Sequence, residues 1–217
     1  KIFKIAKKYN LIVINDAAQS LGAKKNGKNL GAFGHISTMS FHMAKMITTI
    51  EGGMIFTNNQ KYYNRILALR NIGEPKNKKY IHEEIGTNAR MTDLQAAIGL
   101  AQFSKLNSFV KNRIKISKLY IDLIDKKKLP ITLPIIKKKN VNAYFFFPIL
   151  LDNRDSVASI LKKKYLIDTR IAYPLPIYEQ PVYKNNKSLF KKSKCPNAEK
   201  FSKEILNLPM YPSMTKK

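Results

Sequence analysis

The sequence predicts an α/β protein with a mostly parallel sheet and flanking helices, followed by a small α+β unit. Three observations lead there. Leu11-Ile12-Val13-Ile14 is a continuous apolar run behind a helical segment, the pattern of a strand buried on both faces of a parallel sheet. Helical and extended spacings then alternate through the first half, as α/β layering requires. The second half repeats the alternation on shorter segments bounded by proline.

Ile2 to Tyr9 has helical spacing, with Ile2, Ile5 and Ala6 on one face. The apolar run after it ends in Asn15-Asp16, and Asn26-Gly27 marks a turn. His35 to Phe41 and Gly53 to Thr57 read as strands. A helix from about Gln60 to Asn71 is stopped by Gly73. Glu74 to Ala89 is a polar loop with Pro75 inside it. Thr92-Asp93-Leu94-Gln95 is a capping box, in which Thr92 accepts from a first-turn N–H and Gln95 reaches back. Ala96, Ala97, Ile98, Leu100 and Ala101 make the helix behind it small and apolar, suited to close packing on another element or a second subunit. Helical spacing resumes from Leu106 to Ile124 and ends at Pro130 and Pro134.

The remainder reads as a strand at Ala143 to Leu151, a helix at about Ser156 to Tyr165 and a strand at Ile167 to Ala172. A Pro- and Tyr-rich loop from Tyr173 to Tyr183 precedes a last helix at about Asn197 to Leu206. We expect the domain boundary near residue 110, giving units 1–110 and 111–217. No apolar run approaches the roughly 18–20 residues that span a bilayer. One cysteine, Cys195, excludes an internal disulfide and supplies no metal cluster. The chain opens in mid-helix without Met or a signal-like segment, so we expect it to begin inside a longer protein.

The net charge of +26 would attract nucleic acid, anionic membranes or phosphorylated ligands. Only six of the 40 basic residues are Arg, and the lysines are spread along the chain in runs such as Lys126-Lys127-Lys128 and Lys137-Lys138-Lys139. No recognition helix, zinc-ligand spacing or aromatic RNA-binding motif accompanies them. The charge therefore reads as composition, with neither a specific nucleic acid nor a membrane as partner. A polyanionic substrate fits it equally well.

Few residues carry obvious chemistry. Asp16 ends the apolar strand, where open α/β sheets bind ligands, and a carboxylate there can hold a positive charge or cap the next turn. Gln19 follows as a loop amide. Lys45 follows a strand in the segment Ser40-Phe41-His42-Met43-Ala44-Lys45, with Glu51-Gly52-Gly53 just beyond. In a dry, positively biased pocket a lysine sheds its proton and becomes a nucleophile; by itself it is one lysine among many. His42 and His35 could serve as acid/base groups, yet neither has a hydroxyl or thiol and a carboxylate at triad spacing. Tyr173, Tyr178 and Tyr183 could stack on a sugar or base, or pack with their hydroxyls wet.

Four stretches, in order, resemble the DegT/DnrJ/EryC1/StrS family of sugar aminotransferases. They are Asp16-Ala17-Ala18-Gln19-Ser20-Leu21-Gly22, the segment Gly34 to Gly53, Gly86 to Ala97 with Asn88-Ala89-Arg90-Met91 at its centre, and Leu208-Pro209-Met210-Tyr211-Pro212. The ordered combination spans the chain. The resemblance implies the fold type I architecture of pyridoxal 5'-phosphate (PLP) enzymes, with 1–110 as the remainder of the large PLP-binding domain and 111–217 as the small C-terminal domain. It implies that Lys45 binds the cofactor aldehyde covalently and then shuttles protons. Asp16 would pair with the pyridine nitrogen, Gln19 would bond near the phenolic oxygen and Ser40 would contact the phosphate. Asn88 would reach the phosphate held by a neighbouring subunit, making the active unit a homodimer, and His42, Arg90 and Tyr178 would face substrate. The implied reaction moves an amino group from glutamate to a keto group of a nucleotide-linked sugar, in amino-sugar and surface-glycan synthesis in the cytoplasm. Ile47-Thr48-Thr49 with Glu51-Gly52-Gly53 resembles members acting at sugar C4.

Departures from the family pattern are His35 after Gly34, where an acidic residue is common, and Tyr178, where many members have His. The family's N-terminal segment, with its phosphate-cradling turn and ring-stacking aromatic, has no counterpart in these 217 residues, so the chain alone is not expected to catalyse. A lysine rather than His at position 45 argues against the dehydratase branch. A non-catalytic regulator of the same family and a basic nucleic-acid binder are the alternatives.

Overall fold

The computed structural model describes residues 1–136, 139–186 and 195–215; most of the Lys137-Lys138-Lys139 run lies outside the described residues. They form two units, Lys1–Lys111 with Lys138–Phe145, and Asn112–Lys137 with Phe146–Lys217.

The first unit opens with helix α1, Ile2–Lys8, which buries Ala6 and places Lys7 and Lys8 in its last turn, where the helix dipole favours cations. Strand β1, Ile14–Asp16, follows. The Asn26-Gly27 turn joins two very short strands, β2 (Lys24–Lys25) and β3 (Lys28–Asn29). Both turn residues have positive φ, 49° and 78°, the two-residue hairpin geometry that Asn-Gly suits. Strand β4, Ile36–Ser40, buries Ser37 and Met39 on alternate positions, and β5, Gly53–Phe56, is exposed throughout. The sheet order is β1-β4-β5. β1 and β4 are parallel, with Asp16 opposite Thr38, and β4 and β5 are antiparallel, with Ser40 opposite Gly53.

The α/β class therefore holds, with a mixed sheet. The expectation that Leu11 to Ile14 is buried on both faces does not hold. Leu11, Ile12 and Ile14 are 54%, 53% and 66% exposed. β1 is an edge strand paired with β4 alone, and its apolar residue Ile14 is exposed, as are Leu11 and Ile12 before it.

Helix α2, Gln60–Arg70, starts on Asn59, whose side chain accepts from the Tyr62 N–H. Gly73 has φ +81°, and a Cβ there would stand 1.6 Å from the Glu84 carbonyl oxygen. Only glycine lets the loop return so close to the end of α2. Helix α3, Asp93–Phe103, has the full capping box between Thr92 and Gln95. Helix α4, Leu106–Lys126, runs from the first unit into the second. β6, Asn140–Val141, adds to β2. Ala17, Met39, Phe41 and Ile47 form the core beneath the ends of β1 and β4, with Leu21, Met91, Leu106 and Phe109 around them.

In the second unit β7, Phe147–Leu150, pairs with a strand far along the chain. Helix α5, Arg154–Tyr165, ends at Leu166 with φ 56°. The loop expected from Tyr173 to Tyr183 contains the short helix α6, Pro181–Lys184. Helix α7, Pro196–Glu204, gives way directly to β8, Ile205–Leu208, antiparallel to β7. Here three expectations are corrected. Ile205 and Leu206 belong to β8 and not to the last helix, because Leu206 pairs with Ile149 in the ladder. Ala143 to Phe146 precede the strand, since Tyr144 has φ 50° and its N–H bonds to Asn142 Oδ1. Ile167 to Ala172 contribute one bridge, Arg170 to Asn207, rather than a strand.

Buried Arg154 donates from Nη1 to the Ser202 and Ile205 carbonyls, closing the end of α7. Arg113 Nη1 donates to the Met210 carbonyl and the Tyr120 hydroxyl to that of Pro209, which explains physically why a Leu-Pro-Met-Tyr-Pro ending can be fixed in place. Among the described residues Leu206 is a fully buried large side chain, opposite the buried Ile149 in the β7–β8 ladder. Leu206→Ala is expected to lower unfolding stability by about 3 kcal/mol, read as a lower denaturant midpoint at unchanged slope. A loss below about 0.5 kcal/mol would contradict this packing.

Candidate active site

The site is built where the parallel pair β1 and β4 ends. Asp16 closes β1, and the backbone N–H of Ala17 donates to Thr38 O on β4. Ser40, two residues past Thr38, closes β4. Parallel strands present their carboxyl ends on the same edge, so Asp16 and Ser40 both close their strands at that edge of the sheet. Lys45 lies in the turn that leaves β4.

Each side chain is held locally. Asp16 Oδ1 accepts the Ala18 N–H at 3.0 Å, which fixes the carboxylate and leaves Oδ2 without a partner among the described residues. Despite the charge of +26, no cation pairs with Asp16 among the described residues. Ser40 Oγ accepts the His42 N–H at 3.4 Å, so its own O–H remains able to donate. Lys45 is half-buried and its N–H donates to His42 O at 2.9 Å. The Lys45 ammonium stands 5.1 Å from the centre of the Phe145 ring, and no carboxylate pairs with it among the described residues. Gln19 lies exposed in the turn after Asp16.

Phe145 is a neighbour of Lys45 that sequence reasoning missed. Its only signal was membership of an apolar run, read as strand. The ring lies against one side of the amine at cation–π distance.

The loop from His42 to Glu51 is tied at both ends. Phe41 N–H donates to Gly52 O, and Thr49 N–H to Phe41 O. Thr49 is almost fully buried, and its hydroxyl donates to Glu51 O. Gly52 has φ +155°, and a Cβ there would stand 2.3 Å from Thr49 Oγ1, so the double glycine serves close backbone approach. Gln95 of the capping box also donates from Nε2 to Glu51 O, at 3.0 Å. The start of α3 thereby pins the loop that carries Lys45.

Asn88 and Arg90 sit elsewhere in the first unit. Asn88 pairs by a backbone bridge with Asn71 behind α2. Arg90 donates from Nε to Asn88 Oδ1 at 3.1 Å and from Nη1 to Asn71 Oδ1 at 2.9 Å. The guanidinium can only donate, so the Asn88 amide must turn its oxygen inward and leave its NH2 as the outward donor. No hydrogen bond links this cluster to Asp16, Ser40 or Lys45 among the described residues. His42 stands beside Lys45, with Nε2 3.6 Å from Glu51 Oε1. Tyr178 belongs to the second unit and donates its hydroxyl to Glu199 Oε1 at 2.7 Å. Burial, and then that bond, push its phenol up to about 12.

The donor set suits PLP. A protonated pyridine nitrogen needs a carboxylate with a free oxygen, which Asp16 Oδ2 supplies. A phosphate needs hydroxyl or N–H donors, which Ser40 offers, and an aldehyde needs a primary amine, which Lys45 offers.

The whole chain, residues 1–217, matches the DegT/DnrJ/EryC1/StrS aminotransferase family. It is 37% identical over 220 residues to the GDP-perosamine synthase of Escherichia coli O157:H7, covering 99% of this chain and 57% of that protein. It is 34% identical over 218 residues to the pleiotropic regulatory protein of Geobacillus stearothermophilus, covering 98% and 56%. Among solved structures it superposes on S. venezuelae DesV, determined in complex with a ketimine intermediate, with a TM-score of 0.90, 29% identity and coverage of 99% and 57%. The chain thus spans somewhat more than half the length of the relatives it matches.

Proposed function

Because the chain belongs to the DegT/DnrJ/EryC1/StrS aminotransferase family, we propose that the whole protein is a PLP-dependent aminotransferase moving an amino group from glutamate to a keto group of a nucleotide-linked sugar. The observation that supports this most is that Asp16 and Ser40 close the parallel strands β1 and β4 at one edge and Lys45 follows in the turn that leaves β4, with one Asp16 carboxylate oxygen unpaired among the described residues. When bound, the cofactor supplies an aldehyde and an electron-accepting ring.

The residues would divide the work as follows. Asp16 holds the proton on the pyridine nitrogen, which keeps the ring cationic and able to accept electrons. Ser40 donates to the phosphate, and Gln19 orients the phenolic oxygen. Lys45 would hold the cofactor covalently through Nζ, and the same amine, when free, would be placed to move a proton at the donor's Cα. Asn88, with its NH2 turned outward by Arg90, would serve the phosphate of a second subunit in a homodimer. The segment Ile47-Thr48-Thr49 with Glu51-Gly52-Gly53 supports amino transfer at C4, and the cytoplasm is the expected compartment. Tyr178 and Arg90 already have protein partners, so either must exchange a bond to meet substrate.

The test uses the whole protein with added PLP. A visible absorption band should appear, glutamate should bleach it, and a nucleotide-linked keto-sugar should restore it. Absence of any band would overturn the enzyme reading. The similarity to a protein named as a pleiotropic regulator favours one second reading, a regulator that keeps the cofactor site. That reading predicts the band without turnover of any keto-sugar. The Lys-rich charge is read here as non-specific, screened attraction rather than nucleic-acid recognition.

A further inference from the structure

The His42 side chain is tied directly into the turn that presents Lys45. Its Nδ1 accepts the Ala44 N–H at 3.1 Å, and its carbonyl accepts the Lys45 N–H at 2.9 Å. Its own N–H rests on Ser40 Oγ. Residue 42 therefore receives two bonds from the far end of the turn, one on its ring and one on its carbonyl, and donates a third to the end of β4. An Nδ1 that accepts a hydrogen bond carries its lone pair, so the ring proton sits on Nε2, facing Glu51 Oε1 at 3.6 Å. That distance is too long for a hydrogen bond, and both side chains are substantially exposed, so the pair contributes little by itself. The Nδ1 bond is the tighter constraint. It also occupies the nitrogen lone pair that a general base would need, while the other nitrogen is turned to Glu51 at the far end of the same loop.

We propose that His42 is a positioning residue for Lys45, acting through Nδ1 as the side-chain cap of the 42–45 turn, rather than a substrate ligand or a proton carrier. The proposal deepens the aminotransferase reading and rests on it for its kinetic consequences. Its structural content stands on the hydrogen bond alone. The cap fixes the backbone from which Lys45 extends, and Gln95 and Thr49 fix the opposite end of the loop through Glu51 O. Lys45 thus starts from a backbone held at both ends, which limits the arc its amine can sweep.

The discriminating variants are His42→Asn and His42→Ala. An Asn side-chain oxygen can accept the N–H two residues on, as Asp16 does for Ala18. Ala cannot. In this chain without cofactor, amide hydrogen exchange at Ala44 and Lys45 should speed up at least about tenfold in His42→Ala and stay within about threefold of wild type in His42→Asn. In the whole protein with PLP, His42→Ala should lower kcat about tenfold while the KM for the keto-sugar stays within about twofold, and His42→Asn should restore most of kcat. Unchanged exchange in His42→Ala would overturn the proposal. So would a raised KM, or a kcat that Asn fails to rescue, because these mark a substrate ligand or an acid/base group. If the whole wild-type protein forms no visible band with PLP, the aminotransferase reading falls, and the exchange measurement still decides whether His42 holds the turn.

Discussion

Lys45→Ala in the whole protein is expected to abolish the visible band with PLP and to cut amino transfer by at least about a thousandfold. Two losses combine. The amine that bonds the aldehyde is gone, and so is the group that carries the proton during transfer. Lys45→Arg should fare no better, because a guanidinium stays protonated and cannot bond the aldehyde. Neither change removes core. Lys45 is half-buried and its ammonium stands 5.1 Å from the Phe145 ring, so stability should fall by no more than about 1 kcal/mol. Borohydride reduction followed by peptide mapping should place the label on Lys45 in the wild type and nowhere in the variant. Normal turnover by Lys45→Ala would remove this lysine from the mechanism, and so would a label on another lysine.

Asp16→Asn should leave cofactor binding measurable while lowering kcat about a hundredfold. The amide keeps an oxygen for the Ala18 N–H, so the turn at the end of β1 survives. What disappears is the negative charge that stabilises a protonated pyridine nitrogen. The same substitution therefore separates two roles of Asp16. If it serves as a turn cap alone, Asn is a near-neutral replacement and kcat stays within about twofold. If it holds the ring proton, kcat drops while the folded chain, followed by circular dichroism and the denaturant midpoint, is unchanged. A near-normal kcat would assign Asp16 to the turn and would leave the ring without its counter-charge.

Position along the chain explains which features could be read in advance. The α3 capping box, the helix beginning near Gln60 and the Asn26-Gly27 turn depend on residues within four positions of each other, and local chemistry suffices for them. β8 is different. Ile205 and Leu206 continue the spacing of α7, and helical periodicity alone extends that helix to Leu206. The pairing of Leu206 with Ile149 supplies ladder hydrogen bonds and complete burial, which helix continuation could not match. Arg170 and Asn207 show the converse, where a run that looked extended gained only one bridge.

The site divides in the same way. The sequence by itself determined that Asp16 and Ser40 stand at the ends of two strand-like runs and that Lys45 follows the second, because ordered motifs and apolar periodicity are properties of neighbouring residues. It also determined the chemistry available, a carboxylate, a hydroxyl and a primary amine. Only the tertiary structure decided that β1 and β4 are adjacent and parallel, so that these groups share one edge. Only it placed Phe145 beside the Lys45 amine, turned the Asn88 amide through Arg90 and Asn71, and engaged Tyr178 with Glu199. It also left the Leu11 to Ile14 run exposed at a sheet edge. The physical reason is the range of the forces involved. Caps and turns are fixed by hydrogen bonds a few residues long, whereas burial, strand pairing and side-chain orientation depend on which distant segment fills the neighbouring space.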